Sequence, residues 1–358
     1  MTTLHAALVT PLTGPLAPFG QASATGLAVW AKHAARLPAP WTKVELDVRD
    51  TGSDPGAAMR AAVAIQPDVV FGPYGSSSML AAMRVTDRVV WNHGGATSQL
   101  CRPAFPQVIN VLSPATTYFT GVLQVVRATD PGAVTVSLLH TSTGFGQDVA
   151  AGAEKAAADL GFAVQAIPFP PGHAVDVART QPYADVLLVV GNFADELAVA
   201  PVLLAQTWRA AAFVGAGVDE VLAPLGRLRE GLLGPTQWMP TAALKPDEGP
   251  DSSWFVTKYR SVAGTDPPYP AVQAFAAGIL YARCLRESGT SEDAMQLATA
   301  RQLVCTTLYG SFRLDPLSGL QVGHRVLIVQ WQQGVRRVVW PDGMAEQALQ
   351  YPLRRPGV

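Results

Sequence analysis

Short apolar runs alternate with helix-length segments along almost the whole of this 358-residue chain, and that rhythm admits few folds. Strands buried on both faces read as near-continuous apolar runs, and parallel neighbours need a crossover long enough to hold a helix. The fold class is therefore α/β, with parallel-rich sheets covered by helices. Residues 4–9, 44–48, 68–71 and 89–91 read as strands, with Arg49 closing the second. Between them, residues 21–35 repeat apolar side chains at helical spacing, Asp54-Pro55 opens a helix to about residue 65, and another helix spans 76–88. An Asp before a helix accepts from free first-turn amides, and Pro loses no hydrogen bond at the first helical position. Thr13-Gly14-Pro15 and Phe19-Gly20 punctuate the first strand-to-helix loop.

A second series of the same kind begins with a helix at 118–129. It continues with strands at 133–139, 163–167, 186–190 and 212–214 and helices at 147–160 and 194–206. Two α/β lobes in tandem predict a ligand cleft. Helices at 272–288 and 291–303 come next, then strands 325–331 and 335–340 around Gln332-Gln333-Gly334, which read as a hairpin. The Pro-punctuated tail from Pro341 is expected to wrap the surface.

Composition removes several function classes. With 26 Lys+Arg against 27 Asp+Glu, the formal charge is −1, so the chain offers no electrostatic footprint for nucleic acid or an anionic bilayer. An apolar share of 49% is enough to fill two cores. Cys101, Cys284 and Cys305 stand far apart, without a Cys-x-x-Cys pair, and are expected to be reduced and buried or to form one disulfide. No His-Glu-x-x-His, calcium loop or Cys/His cluster appears, so neither metal nor cofactor is expected. Nor does any stretch reach the roughly 18 apolar residues of a membrane helix. The opening Met1-Thr2-Thr3-Leu4-His5 lacks a basic n-region and a cleavage site, which implies a cytoplasmic protein or one whose leader has been removed.

The sharpest local signal is Gly72-Pro73-Tyr74-Gly75-Ser76-Ser77-Ser78, between a strand and a helix. A helix N-terminus leaves amides unpaired and carries partial positive charge, so it can hold a carboxylate without Lys or Arg. Alternatively Ser76 or Ser77 only caps its own helix. Gly94-Gly95-Ala96-Thr97-Ser98 follows the next strand, hence lies at the same carboxyl edge, where open α/β sheets collect ligands. Ser76 lacks a nucleophile-elbow frame; His93 and His140, each closing a strand, are the only bases near the expected cleft. Gly215-Ala216-Gly217 lacks the third glycine of a dinucleotide fingerprint. Phe19, Tyr74, Phe145, Phe193 and Trp238 fall in or beside strand-to-helix loops and suggest walls for an apolar or flat ligand.

In order and spacing, these motifs resemble the type I periplasmic binding proteins of the branched-chain amino acid and amide class, the solute receptors of ABC transporters. The strings that carry the resemblance are Pro11-Leu12-Thr13-Gly14-Pro15 with Phe19-Gly20, Asp54-Pro55, Gly72-Pro73-Tyr74 with Ser76, and Gly95-Ala96-Thr97. Phe145-Gly146, Glu230-Gly231 before Gly234-Pro235-Thr236-Gln237-Trp238, and Gln330-Trp331 complete the set. The resemblance implies two hinged Rossmann-like lobes, residues 1–117 with 241–322 and residues 118–240 with 323–358, closing on a small ligand and read by membrane permease subunits. It implies a periplasmic or extracellular-facing location and no catalytic activity. Ser76, the backbone at Ala96 and the hydroxyl of Thr97 would hold a ligand carboxylate, with Gly75, Ser77 and Gly95 beside them. Phe145 would supply an aromatic wall, and Asn192, Phe193, Asp219 and Trp238 further contacts.

The family acid that pairs with a ligand ammonium aligns with Gly217. That is a departure, because an unpaired ammonium in a cleft costs several kcal/mol of desolvation. Asp195, Glu196, Asp219 or Glu220 could substitute; otherwise the ligand is a carboxylate or amide without a free ammonium. Two competing readings are a cytoplasmic sensor of the same fold, acting on a protein partner, and an α/β enzyme with Ser76 as nucleophile. The latter needs a base within reach of Ser76.

Overall fold

The computed structural model describes residues 2–353. The chain divides into two units, Met1–Pro114 with Ala243–Arg325 and Ala115–Ala242 with Val326–Val358, and passes from one to the other three times.

The first passage builds most of one sheet. It runs β1 (Thr2–Thr10), α1 (Ala17–Val29), β2 (Trp41–Asp50), α2 (Pro55–Ala64), β3 (Val69–Phe71), α3 (Ser76–Met83), β4 (Val90–Asn92) and β5 (Val108–Asn110). The strands are all parallel in the order β2-β1-β3-β4-β5. On one face Ala7, Val9, Val70 and Val90 pack with Met59, Ala62, Met79 and Met83 of α2 and α3. On the other, Phe71 and Trp91 meet Trp30 and Tyr281 edge to face. Asp54 caps α2 by accepting from the Ala57 amide, as an Asp-Pro start requires.

Four details differ from expectation. Phe19-Gly20 lies inside α1, which starts at Ala17 with Pro18 in its first turn, because a proline pre-sets helical φ where no amide is needed. Beyond α1 the helix widens into a π-turn, Trp30–Ala34. The helix expected over 76–88 ends at Met83; Thr86 Oγ1 then accepts from the Arg88 amide, a local bond that competes with helix continuation. Strand β5, which carried no strand expectation, lies just after the prolines Pro103 and Pro106 and pairs with β4.

The second unit continues with α4 (Thr120–Thr129), β6 (Thr135–Thr141), α5 (Gly144–Asp159), β7 (Ala163–Phe169), α6 (Ala174–Ala178), β8 (Val186–Val190), α7 (Phe193–Leu203), β9 (Ala210–Phe213) and β10 (Leu233–Thr236). The chain then returns to the first unit for α8 (Ser252–Ala263), α9 (Tyr269–Ser288), α10 (Asp293–Gln302) and an antiparallel pair, β11 (Cys305–Thr307) and β12 (Gly310–Phe312). It ends in the second unit with β13 (Leu327–Gln332) and β14 (Val335–Trp340).

These strands form a seven-stranded sheet, β14-β13-β10-β9-β8-β6-β7. Its centre is parallel, and the hairpin β13–β14 adds two antiparallel strands. Gln333 and Gly334 both take positive φ at the hairpin turn, as a two-residue turn demands. All five residues of β8 are buried, which is why it reads as an unbroken apolar run. The tail from Pro341 is laced to this unit: Gln330 exchanges hydrogen bonds with Gln350, and Gln332 Nε2 donates to the Ala348 carbonyl. Residue 1 and residues 354–358, which the expected lobe boundaries included, lie outside the described residues. The three cysteines are free thiols, Cys284 and Cys305 buried and Cys101 partly so. Burial pushes the Cys305 thiol up to about 12, so it is inert at neutral pH. Among the described residues no helix is long and apolar enough to cross a membrane.

Candidate functional site

In the first unit, the loops after β3 and β4 leave the same carboxyl edge and are tied together rung by rung. The Gly72 amide donates to the Trp91 carbonyl at 3.0 Å and the Gly75 amide to the Gly94 carbonyl at 3.0 Å. The next rung is a side chain, because the Thr97 amide donates to Ser76 Oγ at 3.1 Å. Ser76 and Thr97 therefore touch directly and can address one small group. Ser76 does not cap its own helix: the cap position is Gly75, whose φ of 96° suits glycine, and no side chain closes that terminus. The amides of the first turn of α3 are thus free of a side-chain cap, and their partial positive charge lies beside the Ser76 hydroxyl.

Asn92, at the end of β4, fixes the second loop. Its Oδ1 accepts from the amides of Gly94 and Gly95, at 3.2 and 2.8 Å, while its Nδ2 donates to the Gly95 carbonyl and to Asn110 Oδ1. Asn110 in turn donates to the carbonyls of Leu100 and Gly319. Sequence reasoning missed both asparagines; an Asn two residues before a Gly-Gly pair was the available signal for the first. Ala96 and Thr97 are buried, Ser76 is half-buried and Ser77 is exposed. Phe19 and Tyr74 stack with ring centres 5.1 Å apart and planes within 7°, and the Tyr74 hydroxyl is hydrogen-bonded to that of Tyr269. The structure thus gathers Phe19, Tyr74, Gly75, Ser76, Gly95, Ala96 and Thr97 at one edge of the sheet.

His93 is fully buried beside this edge, and neither ring nitrogen has a hydrogen-bond partner. Burial lowers its pKa to about 4, against the opposing effect of the nearby carbonyls of His93 itself and Gly72, so the imidazole is neutral at neutral pH. His93 follows β4 directly, in the bend that opens the Gly94-Gly95 loop. Arg49 pairs with Asp47 at 2.5 Å. His140 is half-buried, its Nδ1 lying 3.2 Å from the Thr141 carbonyl.

In the second unit Thr143 caps α5, and Phe145 in its first turn meets Tyr118 edge-on, with centroids 5.8 Å apart. The Tyr118 hydroxyl accepts from Gln237 Nε2 at 3.0 Å. Tyr118 and Gln237 were not anticipated, since nothing in sequence links positions so far apart. Trp238 is buried and Phe193 half-buried. Asn192 caps α7 through the Asp195 amide, and its Nδ2 also donates to the Asp195 carboxylate at 2.6 Å.

Gly217 has no room for a side chain: a Cβ there would stand 1.8 Å from the Pro235 carbonyl oxygen. Of the four acids that could replace a carboxylate at that position, three are engaged within their own unit. Asp219 forms a two-pronged ion pair with Arg336, both distances 2.6 Å. Asp195 accepts from the Gly172 amide and from Asn192. Glu196 is fully buried and accepts from the amides of Gly191 and Gly215, and burial raises its pKa to about 8. Glu220 is exposed. Gly217→Asp should therefore destabilise the second unit by at least about 3 kcal/mol, because the obstructing atom is backbone. Chemical denaturation would read the loss; a stable Gly217→Asp variant would contradict the packing at Pro235.

The chain passes three times between two parallel-rich α/β units, and in the first of them an uncapped helix start and two hydroxyl-bearing residues meet at one sheet edge. The family profile described as "Periplasmic binding protein" matches residues 3–336, and the chain belongs to that family. Family and fold are those of ligand-binding receptors. Among similar solved structures is a leucine binding protein from Thermotoga maritima, 19% identical, covering 94% of this chain and 97% of that one, with a TM-score of 0.78. A solute-binding protein of an ABC transporter from R. palustris, in complex with benzoate, is 17% identical over 94% and 96% of the two chains, at 0.74. Another from R. palustris, in complex with 4-hydroxybenzoate, is 16% identical over 99% and 98%, at 0.77. At these identities the likeness is one of fold.

Proposed function

We propose that this protein is the solute receptor of an ABC importer, non-catalytic, working in the periplasm or facing the cell exterior, and that its ligand is a small carboxylate without an α-ammonium. The observation that carries the reading is the Thr97 amide on Ser76 Oγ, which brings a hydroxyl and the uncapped start of α3 to one point. Donors of this kind satisfy a carboxylate without a cation. The ligand body would lie against the aromatic side chains, Phe19 and Tyr74 in one unit and Phe145 and Trp238 in the other. The lack of space for an acid at position 217, together with the internal partners of Asp195, Glu196 and Asp219, argues against a branched-chain amino acid. An aryl carboxylate of the benzoate type fits this balance and matches what two of the R. palustris proteins hold.

Calorimetry with benzoate, 4-hydroxybenzoate, leucine and 4-methylpentanoate tests it. The acids without an ammonium should bind at least tenfold more tightly than leucine, and tight leucine binding would refute the assignment. Capture by closure of the two units about their hinge predicts a smaller radius of gyration on ligand addition. Small-angle scattering curves that superimpose with and without ligand would count against closure.

A further inference from the structure

At the amino edge of the first unit's sheet, the π-turn after α1, the first half of β2 and the start of α8 line a solvent-open pocket of about 750 Å³. It shares no lining residue with the Ser76–Thr97 edge and lies at the other end of α1, a helix about 20 Å long. Its charged lining is entirely basic, Lys32, Arg36 and Lys43, with the imidazole of His33 beside them, while Leu37 and Trp254 contribute apolar surface. Lys258 stands four residues beyond Trp254 on α8, hence on the same helix face. Lys32, Arg36 and Lys258 make no ion pair among the described residues, and Lys43 has only the exposed Glu45 at 3.6 Å. The positive field is felt locally: desolvation first, then Lys258 and Lys32, hold the His33 imidazole below its ordinary value. A chain whose overall charge is −1 thus gathers cations, most of them without an ion pair, around one hollow of ligand size with a mixed polar and apolar lining.

We propose that this pocket is a second binding site, for a soluble organic anion with a flat or apolar body, its charged head between Lys32 and Arg36 and its body against Trp254. The π-turn bears on the same point, because widening a helix by one residue re-aims the side chains that follow it, and such turns recur at functional sites. Both contacts are needed for recognition, since exposed lysines alone bind small anions weakly and lose them to salt.

The test uses the full chain and 1-anilinonaphthalene-8-sulfonate, an anionic aromatic probe that fluoresces when desolvated. A single saturable site is expected, weakened at least tenfold by Lys32→Glu with Arg36→Glu and at least threefold by Trp254→Ala. Ser76→Ala with Thr97→Val should leave the probe's affinity unchanged, which separates this site from the proposed receptor site. Lys32→Gln with Arg36→Gln repeats the measurement should charge reversal perturb folding, with circular dichroism as the control. Probe binding that survives both pairs of charge substitutions would overturn the proposal. So would binding only to phosphatidylglycerol vesicles and not to the soluble probe, which would assign the basic rim to a membrane surface.

Discussion

Ser76→Ala combined with Thr97→Val should abolish the thermal shift that benzoate produces, while the ligand-free melting temperature moves by only a few degrees. Each hydrogen bond to a charged group contributes about 1.5–3 kcal/mol, so losing two weakens binding by a hundredfold or more. The cost to the ligand-free protein is smaller, because the bonds lost are to neutral acceptors, Ser76 Oγ for the Thr97 amide and Thr97 Oγ1 for the Gln99 amide, each worth about 1 kcal/mol. Differential scanning fluorimetry across a concentration series would measure both. A ligand-induced shift that persists unchanged in the double variant would place the carboxylate elsewhere. Asn92→Ala is the second-best lever on the same loop: it removes the acceptor of the Gly94 and Gly95 amides without touching Ser76.

Stability should peak in mildly acidic solution, because two buried groups in different units penalise opposite ends of the pH scale. His93 titrates near 4 in the folded chain against 6.5 in the open one, so protons favour unfolding. Its penalty begins as pH falls below 6.5 and is complete below about 4, on the order of 3 kcal/mol for the first unit. Glu196 titrates near 8 against 4.5, so ionisation favours unfolding. The stability it leaves intact below 4.5 is lost as pH rises towards 8, on the order of 5 kcal/mol for the second unit. His93→Leu should flatten the acid limb and, since it deletes two unpartnered nitrogens at similar volume, leave neutral stability equal or higher. Glu196→Gln should flatten the alkaline limb. Urea denaturation from pH 4 to 8.5 would show this; an acid limb in His93→Leu as steep as in the parent would rule out the buried imidazole as its source.

Most strands were visible in the sequence because burial on both faces leaves a local mark, an unbroken apolar run such as Val186-Leu187-Leu188-Val189-Val190. The segments that escaped notice carry no such mark. Strands β5, β11 and β12 take their conformation from pairing with a neighbouring strand. Helix α8 has few buried residues, Phe255 and Tyr259, so its apolar period is faint. Within the candidate site, the Gly75-Ser76 and Ala96-Thr97 bends could be placed at one sheet edge because consecutive parallel strands must end there. The rungs between them could not, since a hydrogen bond from residue 97 to residue 76 depends on register rather than on composition.

By itself the amino-acid order determined the class of fold and the two bends at one sheet edge, for both follow from short-range rules: the period of apolar residues and the backbone chemistry of glycine and serine at a helix start. Only the tertiary structure decided what those residues are engaged in. It set the Thr97 amide on Ser76, closed position 217 against the Pro235 carbonyl, paired Asp219 with Arg336 and sank His93 and Glu196 out of water. Each of these is a contact between residues distant in sequence or a loss of solvent, and neither quantity exists until the chain has folded.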